Sequence, residues 1–178
     1  MFKQEINLSE LMNFKLNIIF LILTLQSSMK EETVSVKCMV EMNNYRGEGA
    51  YFAISVIDKK EAYLKTIFVL GTDKTWFSEM KSFWSHLRKN NLFLDDDFYP
   101  LIEGVSGPTI SGGERRILSL EIPKSLYDKN HSLRFETAIE DLGYHADDIN
   151  VTLNKEALSQ SYQGTGFIRN IKFMLPTK

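Results

Sequence analysis

Thr33-Val34-Ser35-Val36-Lys37-Cys38-Met39-Val40-Glu41-Met42 decides the fold class. Val34, Val36, Cys38, Val40 and Met42 fall on one side of an extended chain, and Ser35, Lys37 and Glu41 on the other. That period of two marks a strand with one buried face; a helix would scatter the same residues around its axis. After the turn-forming run Asn43-Asn44-Tyr45-Arg46-Gly47-Glu48-Gly49 the pattern resumes over residues 51–57. It resumes again over residues 63–70, beyond Asp58-Lys59-Lys60-Glu61, so these two stretches predict a hairpin. Leu118, Leu120 and Ile122 alternate with Ser119 and Glu121, and Leu133, Phe135, Thr137 and Ile139 with Arg134, Glu136 and Glu140. Ile149, Val151 and Leu153 suggest a short strand, and Phe167, Ile171, Phe173 and Leu175 a terminal one. About seven to eight strands joined by polar turns predict a mainly β protein, a β-sandwich, with an edge-closed barrel as the alternative because sequence does not fix strand pairing.

One amphipathic helix interrupts the strands. Over residues 76–89 the apolar positions Trp76, Phe77, Met80, Phe83, Trp84 and Leu87 have helical spacing. Thr75 or Asp73 can cap its start, and Lys81, Arg88 and Lys89 suit the negative end of its dipole. The aromatic stripe is read as a face that packs on a sheet rather than as a cofactor lining.

The chain has 178 residues, 43% of them apolar, which suits one domain with a substantial core. Its net charge of −2 provides no basic field for nucleic acid, which is not expected as a partner. Lys15, the apolar run over residues 16–25 and the small polar Gln26-Ser27-Ser28 have the layout of a secretory signal, with Met12 as a possible start. The run is too short to span a bilayer, which takes roughly twenty residues. The expected organisation is a leader over residues 1–28 and a single β-sandwich domain over residues 33–178, exported to the periplasm or another extracytoplasmic space. Cys38 is the only cysteine and alternates with core valines, so it is expected to be a buried strand residue with no disulfide partner in the chain.

Residues 103–113, Glu-Gly-Val-Ser-Gly-Pro-Thr-Ile-Ser-Gly-Gly, present a threonine hydroxyl, Thr109, on a loop with four glycines and no local catalytic partner. Ser106 lacks the surroundings of a nucleophile elbow, and no histidine can be assigned to it as a base. The run Glu140-Asp141-Leu142-Gly143-Tyr144-His145-Ala146-Asp147-Asp148 gathers carboxylates around one histidine, but its spacing fits no EF-hand. It is read as a solvated acidic turn that starts a strand, with a cation held by Asp141, His145, Asp147 and Asp148 as the lesser possibility. No metal ligand set is assigned. His86 and His131 are read as isolated surface residues.

Gly104-Val105-Ser106-Gly107-Pro108-Thr109-Ile110-Ser111 resembles the flavinylation motif of covalent-FMN proteins. The motif carries Asp where this chain has Glu103, and Ala where it has Pro108. The resemblance implies that Thr109 receives FMN as a phosphodiester from a separate flavin transferase, with Ser106, Gly107, Ser111 and Arg115 as the other cofactor-binding positions. Arg115 and its neighbour Arg116 lie where they could pair with the phosphate; they could equally flank a strand in water.

Beyond the leader, the chain resembles the predicted periplasmic proteins of the domain-of-unknown-function 2271 family. The resemblance rests on Tyr51-Phe52-Ala53-Ile54-Ser55-Val56, Lys65-Thr66-Ile67-Phe68-Val69-Leu70-Gly71, Phe83-Trp84, the Gly104 to Thr109 loop, Leu133-Arg134-Phe135-Glu136-Thr137 and Gly166-Phe167-Ile168-Arg169. It implies an exported sandwich of immunoglobulin-like arrangement that works beside membrane flavin-reductase and flavin-transferase systems. The expectation is a redox accessory protein that carries covalent FMN and exchanges electrons with a membrane partner. The alternative is a non-enzymatic immunoglobulin-like module that binds another envelope protein or a carbohydrate.

Overall fold

The opening strand, β1 (Thr33–Met42), is hydrogen-bonded on both edges, which its alternating pattern alone could not show. The structure is a computed structural model that describes residues 31–71, 78–90 and 105–175. The predicted leader, Thr75, Trp76 and Glu103 lie outside these residues. The other strands are β2 (Tyr51–Ile57), β3 (Tyr63–Leu70), β4 (Val105–Gly107), β5 (Arg115–Pro123), β6 (Ser132–Ile139), β7 (Gly143–Thr152), β8 (Ser161–Gln163) and β9 (Ile168–Met174). They form two sheets, ordered β5-β1-β9-β8 and β4-β3-β2-β6-β7. The arrangement is a β-sandwich, not a closed barrel. All pairings are antiparallel except that of β4 with the end of β3.

Between the sheets the core takes the residues that the period of two selects. Val36, Cys38, Val40 and Met42 from β1 meet Phe52, Ile54 and Val56 from β2, and Leu118, Leu120 and Ile122 from β5. Phe135 joins the layers edge-on, with ring centroids 6.0 Å from Phe52 and 6.3 Å from Phe173. Burying rings of this size supplies much of the energy that holds two sheets together. In β9 the inward residues are Ile168, Ile171 and Phe173, a spacing of three followed by two. The register with β1 shifts between Glu41 and Met42, and that irregularity lets Ile168 face inward.

A nine-residue helix, α1 (Lys81–Lys89), covers the outer face of the five-stranded sheet. Met80, Phe83 and Leu87 are buried there against Ala53, Val69 and Ala138, small sheet residues that let the helix come close. The stripe is thus a packing face, as its spacing predicted. Asn90 ends the helix, its Nδ2 donating to the His86 carbonyl. This third layer buries residues of β2 and β6 on both sides of the sheet.

Cys38 lies in the sealed core, where burial pushes its thiol up to about 12. At pH 8 the native protein should therefore leave Ellman's reagent unreacted, with one thiol titrating only after guanidinium unfolding. A native reaction rate near that of free cysteine would contradict this placement.

Candidate functional site

The segment carrying Thr109 leaves one sheet and enters the other. Gly107 is tied to the five-stranded sheet by donation from the Gly71 amide at 3.0 Å, and the next strand, β5, belongs to the four-stranded sheet. Gly107 has φ of +152°, a backbone state that L side chains rarely adopt, and Pro108 follows it. Ile110 is fully buried and exchanges both backbone hydrogen bonds with Ala50, at 2.7 and 3.1 Å. The Tyr45 phenol donates to the Ile110 carbonyl at 2.5 Å and accepts from the Ala50 amide at 3.1 Å. A plug residue inside and a strand at each end make this a braced crossover, stiffer than its glycine content suggests.

Arg116 supplies the outer brace. Its guanidinium donates to the Pro108 carbonyl at 2.8 Å and to the Thr109 carbonyl at 3.2 Å, and is itself held by Glu114 Oε1. Burial pulls Glu114 upward, but the Ser111 amide and Arg116 outweigh it and hold the carboxyl below its ordinary value. Arg115 points elsewhere: it lies exposed on β5 and pairs with Glu41 Oε2 at 3.0 Å. Gly107, Thr109 and Ser111 therefore share one crossover, whereas Arg115 flanks a strand in water. The Ser106 side chain lies outside the described residues.

Thr109 itself is half-buried, and its hydroxyl makes no hydrogen bond among the described residues. It lies over Gly49, where an added Cβ would come within 2.3 Å of Thr109 Oγ1. Only glycine at position 49 leaves that oxygen in place. Among the described residues no histidine or carboxylate is bonded to Oγ1, so none of them serves the hydroxyl as an activating base.

The acidic segment from Glu140 to Asp148 is a turn over residues 140–142 that starts β7, but the strand begins at Gly143 and takes in the remaining residues, so the solvated turn is shorter than expected. Between Phe135 and Thr137 of β6 the register shifts: three residues of β7, Ala146, Asp147 and Asp148, stand opposite the single Glu136 of β6. This bulge turns Asp148 inward, fully buried. Its carboxylate accepts from Thr137 Oγ1 at 2.6 Å and from the amides of Gly166, Phe167 and Ile168 at 2.8, 2.8 and 3.0 Å. Asp147 pairs instead with Arg134 at 2.9 Å, and the His145 ring packs edge-on against Phe167. Among the described residues no three of His, Cys, Asp and Glu are arranged to hold a metal ion. Nor are His86 and His131 simple surface residues. His86 stacks on Tyr63 with centroids 4.5 Å apart, and His131 Nδ1 lies 3.0 Å from the Leu126 carbonyl oxygen.

A second polar centre lies beneath α1. Glu136 is fully buried and accepts from the Tyr63 phenol at 2.5 Å and from the Tyr144 phenol. Tyr144 in turn accepts from the Ser82 amide of α1 at 3.2 Å. Burial raises Glu136 above the ordinary carboxyl value despite the two phenol donors, and burial beside that carboxylate raises both phenols. Alternation on β6 puts Arg134 and Glu136 on the outward face, which reads as solvent until a helix is laid over it. The one available signal was the apolar stripe of that helix, which had to cover some sheet face.

The family model described as a predicted periplasmic protein, DUF2271, matches residues 33–170, nearly the whole sandwich. No curated protein and no solved structure matches the chain significantly. The family match covers well over half of the sequence and runs through both sheets, the helix and the crossover, so the chain belongs to this family of predicted periplasmic proteins and is extracytoplasmic.

Proposed function

We propose that this extracytoplasmic sandwich is an acceptor for covalently attached FMN at Thr109 Oγ1, working with a membrane electron-transfer partner. The observation that carries the reading is the Thr109 hydroxyl, without a hydrogen-bond partner among the described residues and held over Gly49 on a crossover whose neighbouring carbonyls are clamped by Arg116. A separate flavin transferase would supply the activated FMN phosphoryl, the leaving group and the base that takes the hydroxyl proton. The acceptor then needs only a nucleophile in a reproducible position, which is what a braced loop offers. Attached flavin would supply the redox chemistry; the chain's own part is to hold the phosphate-bearing oxygen at the end of the five-stranded sheet.

Mass spectrometry after co-expression with a flavin transferase tests this. The wild type should gain one FMN-sized adduct, and Thr109→Ala none. Gly49→Ala should cut the adduct yield at least tenfold while Thr109 remains present, because the new Cβ displaces Oγ1. An unmodified wild type, or Thr109→Ala with the same adduct, would sink the proposal.

A further inference from the structure

Beside α1, at the opposite end of β3 from the Thr109 crossover, lies a cleft of about 630 Å³ bordered by Tyr63, Lys81, Ser85, His86, Lys89 and Arg134, with Glu61 at its mouth. The seven steps of β3 that separate Tyr63 from Leu70 span roughly 23 Å, so the cleft and the crossover are separate places.

Arg134 forms one wall. It is only 4% exposed, and a buried guanidinium ordinarily has its donors fully matched. Its Nη2 lies 3.2 Å from Glu61 Oε2 and its Nε 2.9 Å from Asp147 Oδ1, yet neither atom is aligned in a hydrogen bond. The Glu61 side chain is 74% exposed and reaches Arg134 from the β2–β3 turn, where its backbone has a left-handed φ of 63°. Lys81 and Lys89 stand at the two ends of α1, about 12 Å apart along its axis, and neither makes an ion pair among the described residues. The Arg134 guanidinium lies 5.7 Å from the centroid of the Tyr63 ring, and that ring stacks on His86, so β6, β3 and α1 join in one wall of the cleft. In a chain whose net charge is −2, two lysines without an ion pair among the described residues and a poorly matched buried guanidinium border one concave surface.

We infer that this cleft binds a small oxyanion-bearing ligand, a carboxylate or a phosphate, whose anionic group displaces the Glu61 carboxylate from Arg134 and is met by Lys81 and Lys89. Glu61 then serves as a resident stand-in for the ligand. The guanidinium presents a planar fork suited to either oxyanion, and the lysines add charge that adapts to its position. The inference does not depend on Thr109 or on flavin.

Isothermal titration calorimetry with citrate and, separately, with inorganic phosphate tests it on the folded wild type. At least one should bind, and which one does assigns the class. Lys81 and Lys89 are exposed, so Lys81→Ala/Lys89→Ala should fold normally, confirmed by circular dichroism, while binding at least tenfold more weakly. Lys172→Ala, on β9 and remote from the cleft, should bind as wild type does. Glu61→Gln should bind severalfold more tightly, since the competing charge is gone. Failure of both probes to bind at millimolar concentration, an unchanged affinity in the double lysine variant, or equal or weaker binding by Glu61→Gln would each overturn the proposal.

Discussion

Replacing Asp148 by alanine is expected to destabilise the domain by about 3–5 kcal/mol, among the largest effects of any single substitution in this chain. The carboxylate lies in the interior and satisfies four donors at once, one hydroxyl and three consecutive amides. Removing it strands those donors where water has little access, and stranded donors cost more than the bonds contributed. The damage should spread along a defined route. The segment that Asp148 holds receives Asn43, whose amide donates to the Phe167 carbonyl at 2.8 Å and whose Nδ2 donates to the Gly166 carbonyl at 2.8 Å. Asn43 in turn accepts the Gly113 amide at 2.9 Å, and Tyr45 packs on Phe167 while bonding Ile110. Urea denaturation should show the lost stability, and hydrogen exchange should show the Ile110 and Gly113 amides opening faster. Thr137→Val removes one donor and keeps the shape, so it should cost about 1 kcal/mol. A loss below 1 kcal/mol for Asp148→Ala would contradict the account.

Glu136→Ala is the second large effect, at about 2–4 kcal/mol, because it leaves two phenols without their acceptor and opens a cavity under α1. Glu136→Gln should cost less, since the phenols can rotate to bond an amide. Its cost should also depend on pH. The native protein holds the Glu136 proton to higher pH than the unfolded chain does. Stability from this group is therefore full below the ordinary value of 4.5 and is lost as pH rises through the raised native value. Glutamine does not titrate, so Glu136→Gln should gain on the wild type as pH climbs from 4.5, by up to about 1.4 kcal/mol per pH unit within that window. Denaturation at a series of pH values checks it; a gap that is constant, or that widens with pH, would count against a raised carboxyl.

The strands were legible because alternation reports directly which side of a chain is buried. Residues 51–57 and 63–70 coincide with β2 and β3 for that reason. Arg134 and Glu136 obey the same alternation yet are buried, because a helix distant in sequence covers the face they occupy. Asp148 escaped the pattern because a bulge changes which side a residue faces, and the bulge is a property of the pairing of β7 with β6 rather than of either strand's own alternation. At the crossover the sequence exposed the hydroxyl but left the two arginines undecided. Successive residues of a strand point to opposite faces, and the register Glu41↔Arg115, Val40↔Arg116 sends the first to Glu41 while the second reaches the Pro108 and Thr109 carbonyls.

Under the proposed modification of Thr109, the crossover also sets an order of events. Its conformation exists only once Ile110 is seated, Ala50 is bridged and Arg116 has closed over the Pro108 and Thr109 carbonyls, contacts contributed from both sheets. If Thr109 is modified as proposed, the transferase would meet a finished surface rather than a nascent peptide, folding would precede modification, and an unfolded chain would be a poorer substrate than the native domain.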